Sequence, residues 1–335
     1  MKRISILLAL AGLAVSALLV VWLDAGQVLD AALSVGWQGF LILALCQMAL
    51  FLGLGLCWVA VLPGVPPGLL IWGRMVRDAA GNCLPFSHVG GYVVGARAVM
   101  VGGVTWPTAA ASTVVDVSTE VVSQLIFTLF GLAVLALVQP GSQLVAPVGV
   151  GLALAAAALV VIVWFRGDIW RMLRGLSRRL LGDRFAGREP GRRNPGRHQD
   201  SKASKVPLGG LARLERELAR LYRNPRGLLV AVALHVACWF GSGITTWISL
   251  RLLGWEADLL PILALEALIA ALIGAAFIVP GGVGVQEAGF VGLGAVFGVP
   301  PEIALSVSLL RRARDLALGV PILLVFQWIE LKRLK

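Results

Sequence analysis

Charged residues are scarce in this sequence: they account for 14% of its 335 residues, whereas apolar residues account for 58%. An ordinary soluble domain contains about a quarter charged residues, so this scarcity excludes a soluble globular fold. Apolar runs of eighteen or more residues predict membrane-spanning helices, and the short alternating segments of an outer-membrane barrel are missing. We therefore predict an all-α polytopic membrane protein, because a helix satisfies its own backbone in lipid.

Cysteine and histidine are also few, which limits the chemistry that the sequence can support. The four cysteines form no CxxC motif, and the three histidines are scattered without metal-ligand spacing. The motifs of P-loops, Rossmann turns, zinc peptidases and serine hydrolases are missing as well. We predict no catalytic residue, no metal and no cofactor. Paired carboxylates in a membrane span leave an intramembrane lipid-modifying enzyme as an alternative.

The basic excess of the chain is confined to one segment. Residues 166–226 contain 17 Lys or Arg and 6 Asp or Glu, whereas the rest of the chain contains 12 of each kind. In a membrane protein such an excess marks the cytoplasmic side, and we prefer this interpretation to nucleic-acid binding. The basic loop separates an N-terminal membrane half, 1–165, from a C-terminal half, 227–335. We predict an inner-membrane protein with both termini in the cytoplasm.

The basic loop itself has two parts. Residues 188–205 are rich in Gly, Pro and Arg and are predicted to be disordered. In 208–223 leucines recur every three or four residues among Arg and Glu, which predicts an amphipathic helix. This helix either lies on the anionic lipids of the inner leaflet or packs on the protein as an elbow. The sequence leaves both arrangements open.

Six stretches are long and apolar enough to be full transmembrane helices. The first follows Lys2 and Arg3, and a cleaved signal peptide is the alternative there. The charge pattern of the loops sets the direction of each span. The six predicted spans are about 4–23, 39–61, 106–138, 144–165, 228–250 and 302–329.

Two further segments, 78–105 and 258–300, are apolar but broken by proline and glycine. Each segment has to begin and end on the same side of the membrane, because otherwise the positively charged loops of the chain would not all lie on the cytoplasmic side. Irregular backbone at that depth is tolerated where it is buried in protein or lines water, so we predict two re-entrant hairpins. The predicted hinge residues are Pro85, Gly90, Gly91, Pro280, Gly281, Gly282 and Gly284.

The two broken segments resemble each other. Pro85 and Pro280 are 195 residues apart, and each is followed by a glycine pair. At the same offset Glu120 matches Asp315. These matches suggest an inverted-topology repeat, which in transporters places the binding site near the bilayer midplane.

Charged side chains within the spans are the candidates for a substrate pathway. Asp116 and Glu120 are one helical turn apart on one face, where each ionised group costs about 2.5–3.5 kcal/mol in lipid. Protonation of one of them would lower this cost. The last span supplies Arg311, Arg314 and Asp315, and Arg311 can pair with Asp315 locally. We predict that the two polar stripes face each other across a cavity.

Arg97 and Glu287 lie on the two broken segments and are candidates for the rim of this cavity. A network of buried arginines and carboxylates could instead do no more than fix the register of the helices. We favour a pathway, because so many charges cluster in so few segments.

Three segments carry a resemblance to a known family: "LPFSHVGGYVVGAR", "ASTVVDVSTEVVSQL" and "PGGVGVQEAG". They resemble the membrane region of lysylphosphatidylglycerol synthases, a flippase-like domain, and are most similar to the branch associated with hopanoid biosynthesis (HpnL). The resemblance does not include the soluble aminoacyl-transferase domain, and Tyr92 stands where many relatives carry an acid. It therefore does not imply a lysyl-lipid substrate.

The resemblance implies a multi-pass inner-membrane protein that moves a lipid between leaflets. We expect a flippase-like transporter of a polar-headgroup lipid or hopanoid, with no nucleic acid among its partners. The alternatives are a membrane scaffold that docks lipid-modifying enzymes through its basic loop, and the intramembrane enzyme.

Overall fold

The computed structural model describes residues 35–83, 87–139, 141, 208–276, 279 and 282–334, together with single positions between 146 and 157. The long described ranges form helices and contain no strand. In chain order the helices are α1 (Gly36–Val61), α2 (Pro67–Cys83), α3 (Ser87–Val101), α4 (Trp106–Val138), α5 (Leu208–Tyr222), α6 (Pro225–Leu252), α7 (Leu259–Ala275), α8 (Val285–Val296) and α9 (Pro301–Leu334).

Three of these helices, α1, α4 and α6, are long and apolar enough to cross a membrane. They lie where the sequence predicted spans at 39–61, 106–138 and 228–250. The structure is therefore that of an all-helical membrane protein, as the composition predicted. The predicted span at 4–23 lies outside the described residues, and so does most of the predicted span at 144–165.

The last helix, α9, contains 34 residues and is about 51 Å long at 1.5 Å per residue. This exceeds the thickness of the hydrocarbon core, which is about 30 Å. It packs against α2 and α8, and it carries charged residues near its middle. These charges require polar partners, which neighbouring helices supply.

Two pairs of short helices lie between the long ones. They contain 17 and 15 residues in α2 and α3, and 17 and 12 in α7 and α8. Their lengths are about 18–26 Å, less than the thickness of the hydrocarbon core. α2 packs along α3, and α7 contacts α8. Each pair overlaps a segment that the sequence showed as broken, although α2 begins at residue 67 rather than at 78.

Proline and glycine define several helix ends. Pro225 is the first residue of α6, where a backbone N–H would have no hydrogen-bond partner within the helix. The Asn224 side chain caps the same end, because its Oδ1 accepts the Gly227 N–H at 3.1 Å. Gly254 and Gly298 follow α6 and α8 with φ of 77° and 76°, a left-handed conformation that glycine adopts without strain.

Close packing between α2 and α3 depends on two glycines spaced by four residues. A Cβ at Gly91 would lie 2.6 Å from the Arg77 carbonyl oxygen, and one at Gly95 would lie 2.5 Å from the Arg77 Cβ. Small residues at this spacing let two membrane helices approach closely. This close approach places the Arg77 side chain against α3.

The amphipathic helix α5 packs on α4. Leu218 and Leu221 are buried there, and the Tyr222 hydroxyl lies 2.9 Å from the Ser118 hydroxyl on α4. Of the two arrangements that the sequence left open, the structure has the elbow packed on the protein. The apolar face of α5 is therefore occupied by protein, and its arginines point outward.

The packing of α2 on α3 predicts a difference between two glycine-to-alanine changes. Gly91→Ala should destabilise the fold by about 1–3 kcal/mol, because the new methyl has to displace main chain. Gly68→Ala on the same pair of helices meets nothing within 4 Å and should be neutral or stabilise by up to about 1 kcal/mol. Thermal unfolding in detergent measures both. Equal melting temperatures would contradict the close approach.

Candidate polar site between the helices

A cavity of about 190 Å³ lies among α1, α2, α3, α4, α6 and α9. Its wall is rich in charge, although most of the surrounding bundle is apolar. Four arginines line it: Arg74, Arg77, Arg311 and Arg314. Three acids line it as well: Asp78, Glu120 and Asp315.

The two arginines of α2 hold both acids of α4. Arg74 donates from Nη2 to Glu120 Oε1 at 2.7 Å and from Nη1 to Asp116 Oδ2 at 3.2 Å. Arg77 donates to Asp116 Oδ2 at 2.6 Å and also to Glu120 Oε2. Spacings of three and four residues put the two cations on one face of α2 and the two acids on one face of α4. Each carboxylate therefore bridges two guanidinium groups.

A third acid and a histidine complete this first cluster. Asp78 accepts from the Arg74 Nε at 2.9 Å, within α2. His235 on α6 is fully buried, and its Nε2 lies 3.4 Å from Asp116 Oδ1. The described side chains of the cluster thus offer three carboxylates to two arginines.

Tyr92 stacks against the first cluster from α3. The Arg77 guanidinium lies 4.4 Å from the centre of the Tyr92 ring. A cation over an aromatic face at this distance is attracted by the ring quadrupole. Tyr92 also lines the cavity, so an aromatic ring lies over the Arg77 guanidinium at the cavity wall.

A second cluster joins α6, α7 and α9. Arg311 donates from Nη1 to both oxygens of Glu266, at 2.8 and 3.0 Å. The hydroxyls of Ser242 and Thr246 donate to the same carboxylate at 2.7 and 2.8 Å. Glu266 is buried within α7, and these three donors satisfy its charge.

Arg314 and Asp315 form a pair of their own on α9. Arg314 donates from Nε and Nη2 to Asp315 Oδ1 at 3.0 and 2.8 Å. The sequence allowed Arg311 to pair with Asp315 one turn away, but Arg311 pairs with Glu266 in the structure. A buried carboxylate on another helix attracts the guanidinium more strongly than one that borders the cavity.

Glu287 is buried and is not among the residues that line the cavity. Its Oε2 accepts the Gly284 N–H at 2.7 Å at the start of α8, and its Oε1 accepts from the Arg312 Nε at 2.8 Å. A carboxylate at this place is favoured by the free N–H groups of the first helical turn. Gly284 has a φ of 80°. Glu287 therefore caps the start of α8 and links this helix to α9 through Arg312.

Arg97 lies away from the cavity. It donates to Glu330 of α9 at 2.8 Å, and half of its side chain is exposed. It therefore joins α3 to the far end of α9 and is not part of the cavity rim in this structure.

The predicted hinge residues do not share one structural position. Pro85, Pro280 and Gly281 are outside the described residues. Gly90 and Gly91 lie within α3, after its start at residue 87. Gly282 has a φ of 60° and precedes α8, so the backbone there needs glycine.

The charged atoms that face the cavity are unequally exposed. The side chains of Arg74 and Arg77 are 3% exposed, whereas those of Asp78 and Glu120 are 18% and 19% exposed. Asp315 resembles the other two acids at 18%. In the first cluster the arginines are therefore buried against their partners while Asp78 and Glu120 are partly open, whereas in the second cluster Arg311 is 21% exposed and its partner Glu266 is buried.

Sequence reasoning missed four charged or polar members of these clusters. It did not include Arg74 and Arg77 among the candidate site residues, and both are buried within α2. It passed over His235 and Glu266. The signal for Glu266 was available, since a lone acid in an apolar helix is a functional candidate by default. No group of three or more His, Cys, Asp or Glu in the described part of the chain is placed to hold a metal.

A family model described as "Lysylphosphatidylglycerol synthase TM region" matches residues 9–322. No curated protein matches the chain, and no solved structure does.

The burial of Arg77 predicts a contrast between two arginines that both pair with carboxylates. Arg77→Met should destabilise the fold by about 3–5 kcal/mol, because it leaves buried Asp116 and half-buried Glu120 with Arg74 as their one remaining arginine partner among the described residues. Arg97→Met breaks a pair that is half exposed and should cost about 0–1 kcal/mol. The difference in thermal unfolding between the two variants measures this. Similar losses would show that the first cluster is not a buried charge network.

Proposed function

The chain belongs to the lysylphosphatidylglycerol synthase TM region family, and from this premise we propose that it is a flippase-like transporter that moves a lipid between leaflets. The family is a membrane domain with lipid-related functions. The observation that supports transport here is the charged cavity in the middle of an apolar helical bundle. Charges in lipid are costly, and they recur where a polar group crosses the membrane.

The cavity suits a lipid headgroup rather than a whole lipid. Its volume of about 190 Å³ is below the 300–1,000 Å³ that is common for pockets holding drug-sized ligands. The headgroup would enter among the charged side chains while the tails stay in the bilayer. The resemblance of three sequence segments to the hopanoid-associated branch supports a hopanoid or a related lipid as the cargo.

The membrane arrangement that goes with this function has six full spans and two re-entrant hairpins. The hairpins would be α2 with α3, and α7 with α8. Support comes from their lengths of about 18–26 Å, which are too short for an untilted helix to cross a core of about 30 Å. Support also comes from proline and glycine at both breaks. Residues 78–105 and 258–300 would then enter from opposite faces.

The placement that we propose is the inner membrane, with both termini and the basic loop in the cytoplasm. The charge excess of residues 166–226 supports this orientation. Three arginines on the outward face of α5 and one directly after its end support a contact with anionic lipids of the inner leaflet. They are Arg213, Arg216, Arg220 and Arg223, all exposed.

The transport hypothesis predicts that cavity acids matter more than an acid elsewhere. Glu120→Gln and Asp315→Asn should each slow the movement of headgroup-labelled lipids in proteoliposomes by tenfold or more, about the effect of losing one charged contact. Glu330→Gln, on the far end of α9, should leave the rate unchanged. Thermal unfolding of each variant confirms that it is folded. Equal rates in the folded variants would refute a pathway through this cavity.

A deletion separates the transporter from the scaffold. Removal of residues 188–205 should leave lipid movement in proteoliposomes and lipid composition in cells unchanged, because the cavity lies elsewhere. A scaffold that docks enzymes through this segment would lose its cellular effect on lipids. Mass spectrometry of the lipids from a deletion strain distinguishes the enzyme alternative, which predicts a missing species rather than a misplaced one.

A further inference from the structure

Every charged side chain that lines the cavity already has a partner of opposite charge. The two arginines of α2 pair with acids of α2 and α4. On α9, Arg311 pairs with Glu266, and Arg314 pairs with Asp315. A charged headgroup that entered would have to take its partner from one of these pairs, and the group left behind would be a buried ion without a counter-charge. The charges of the wall are therefore engaged with one another.

A neutral side chain on α1 is not engaged in this way. Gln47 lines the cavity together with Leu50 and Leu54, and their spacings of three and four residues place them on one face of the helix. Gln47 is the twelfth of the 26 residues of α1, a helix long enough to cross a membrane, so it lies near the middle of the span. Its amide forms no hydrogen bond with another described residue.

Two other glutamines in the described bundle do have hydrogen-bond partners. Gln124 on α4 donates to the Ala270 carbonyl of α7 at 2.7 Å. Gln286 on α8 donates to the Ser308 hydroxyl of α9 at 2.9 Å. An amide in an apolar bundle is costly unless it is hydrogen-bonded, and these two amides join neighbouring helices. Gln47 joins no pair of described helices, so its amide lines the cavity with its donors and its acceptor unused.

Two further neutral groups on the cavity wall are like Gln47 in this respect. Asn82 follows Asp78 by about one turn of α2, and Tyr92 lies on α3; both line the cavity. Neither the Asn82 amide nor the Tyr92 hydroxyl forms a hydrogen bond with another described residue. All three side chains are half-buried. The wall therefore carries neutral polar groups that are open to a bound molecule.

The acids on the wall also keep the capacity to accept further hydrogen bonds. The side chains of Asp78, Glu120 and Asp315 are 18–19% exposed. Arg314 donates to Oδ1 of Asp315, and Oδ2 receives no hydrogen bond from another described residue. Each carboxylate oxygen has two lone pairs. These acids can therefore accept a hydrogen bond from a bound molecule without giving up their arginines.

The open groups decide which headgroup chemistry fits the cavity. Carboxylates accept hydrogen bonds, whereas amide and phenol groups both donate and accept them. An ammonium headgroup only donates, so it leaves the amide N–H groups unused, and a phosphate only accepts, so it offers nothing to the carboxylates. A zwitterionic headgroup brings two charges to a wall whose charges are already paired. A hydroxyl group donates and accepts at once, and it carries no charge.

We propose that the cavity binds an uncharged, hydroxyl-rich lipid headgroup of the polyol or sugar class, through Gln47, Asn82, Tyr92 and the open edges of its acids. The hydroxyls accept from the two amides and donate to the carboxylates, and no ion pair has to break. The Trp239 ring also lines the cavity and supplies apolar surface for the carbon skeleton of the headgroup. The inference rests on the proposed transport function, because it names the class of headgroup that is moved.

Competition among lipids with identical acyl chains tests the class of headgroup. The full-length protein, in a polyoxyethylene detergent that contains no sugar, is mixed with equal amounts of each lipid, and native mass spectrometry measures which lipids stay bound. The lipids are monoglucosyl diacylglycerol, phosphatidylethanolamine, phosphatidic acid and a diacyl trimethylammonium lipid.

The quantity that decides the test is the binding that depends on Gln47. Gln47→Leu should lower the retention of the glucosyl lipid by roughly threefold to tenfold, the effect of losing a neutral hydrogen bond. Asn82→Leu should do the same. Phosphatidic acid held by the exposed arginines of α5 should not respond to either change. A loss that falls on a charged lipid instead, or no loss in either variant, overturns the proposal.

A control variant and the unfolding temperature exclude a structural role for Gln47. Gln38→Leu changes an exposed amide of the same helix outside the cavity and should bind lipids like the parent. Gln47→Leu should unfold at or above the parent temperature, because it removes an unpaired amide from an apolar helix. A lower unfolding temperature would mean that the amide holds the bundle together, which contradicts its role at the headgroup.

Lipid movement is measured separately, in proteoliposomes that contain acyl-labelled glucosyl lipid or acyl-labelled phosphatidylethanolamine. Movement of the glucosyl lipid that slows about threefold or more in Gln47→Leu supports both the transport function and the headgroup class. If the protein retains the glucosyl lipid through Gln47 but moves no lipid, the transport function fails and the headgroup class stands. If it moves phosphatidylethanolamine and not the glucosyl lipid, the transport function stands and the headgroup class fails.

Discussion

A buried guanidinium in a membrane requires a carboxylate beside it, and this requirement organises the described part of the chain. Arg74 and Arg77 are buried in α2, and they draw in Asp116 and Glu120 from α4. Each ion would be costly alone, so the two helices are held in one register by the need to keep all charges paired. The same rule joins α9 to α7 through Arg311, and to α8 through Arg312.

Glycine makes these charge clusters geometrically feasible. The clusters need short helices to lie close to long ones, and side chains would keep them apart. Gly91 and Gly95 let α3 settle on α2 over Arg77, which brings Tyr92 within 4.4 Å of the guanidinium. Gly319 lets α9 settle on α2 in the same way. Polar pairs therefore specify which helices meet. Glycines, which have no side chain, determine how closely these helices pack.

Apolar periodicity and proline placed the long helices well, since α4 has the predicted bounds of 106–138 and three helices of membrane length lie at predicted spans. Partners were harder to predict, because helical spacing reveals neighbours on one helix but not between helices. Arg311 has an acid one turn away at Asp315, yet it pairs with Glu266, which is far off in sequence. Arg74 and Arg77 closely follow a proline-rich turn in the sequence, and such a turn is typical of a loop at the membrane surface. Only the tertiary packing shows that both arginines are buried. The paired short helices were recognisable from their breaks, whereas their bounds were not.

The surplus carboxylate around the cavity also has an electrical meaning. Four arginines, Arg74, Arg77, Arg311 and Arg314, stand against five acids, Asp78, Asp116, Glu120, Glu266 and Asp315. A membrane potential acts on any net charge that shifts along its field, at about 2.3 kcal/mol per elementary charge for 100 mV across the full thickness. A surplus carboxylate that is ionised would therefore respond to the voltage across the membrane, and a bound cation that neutralised it would remove this response.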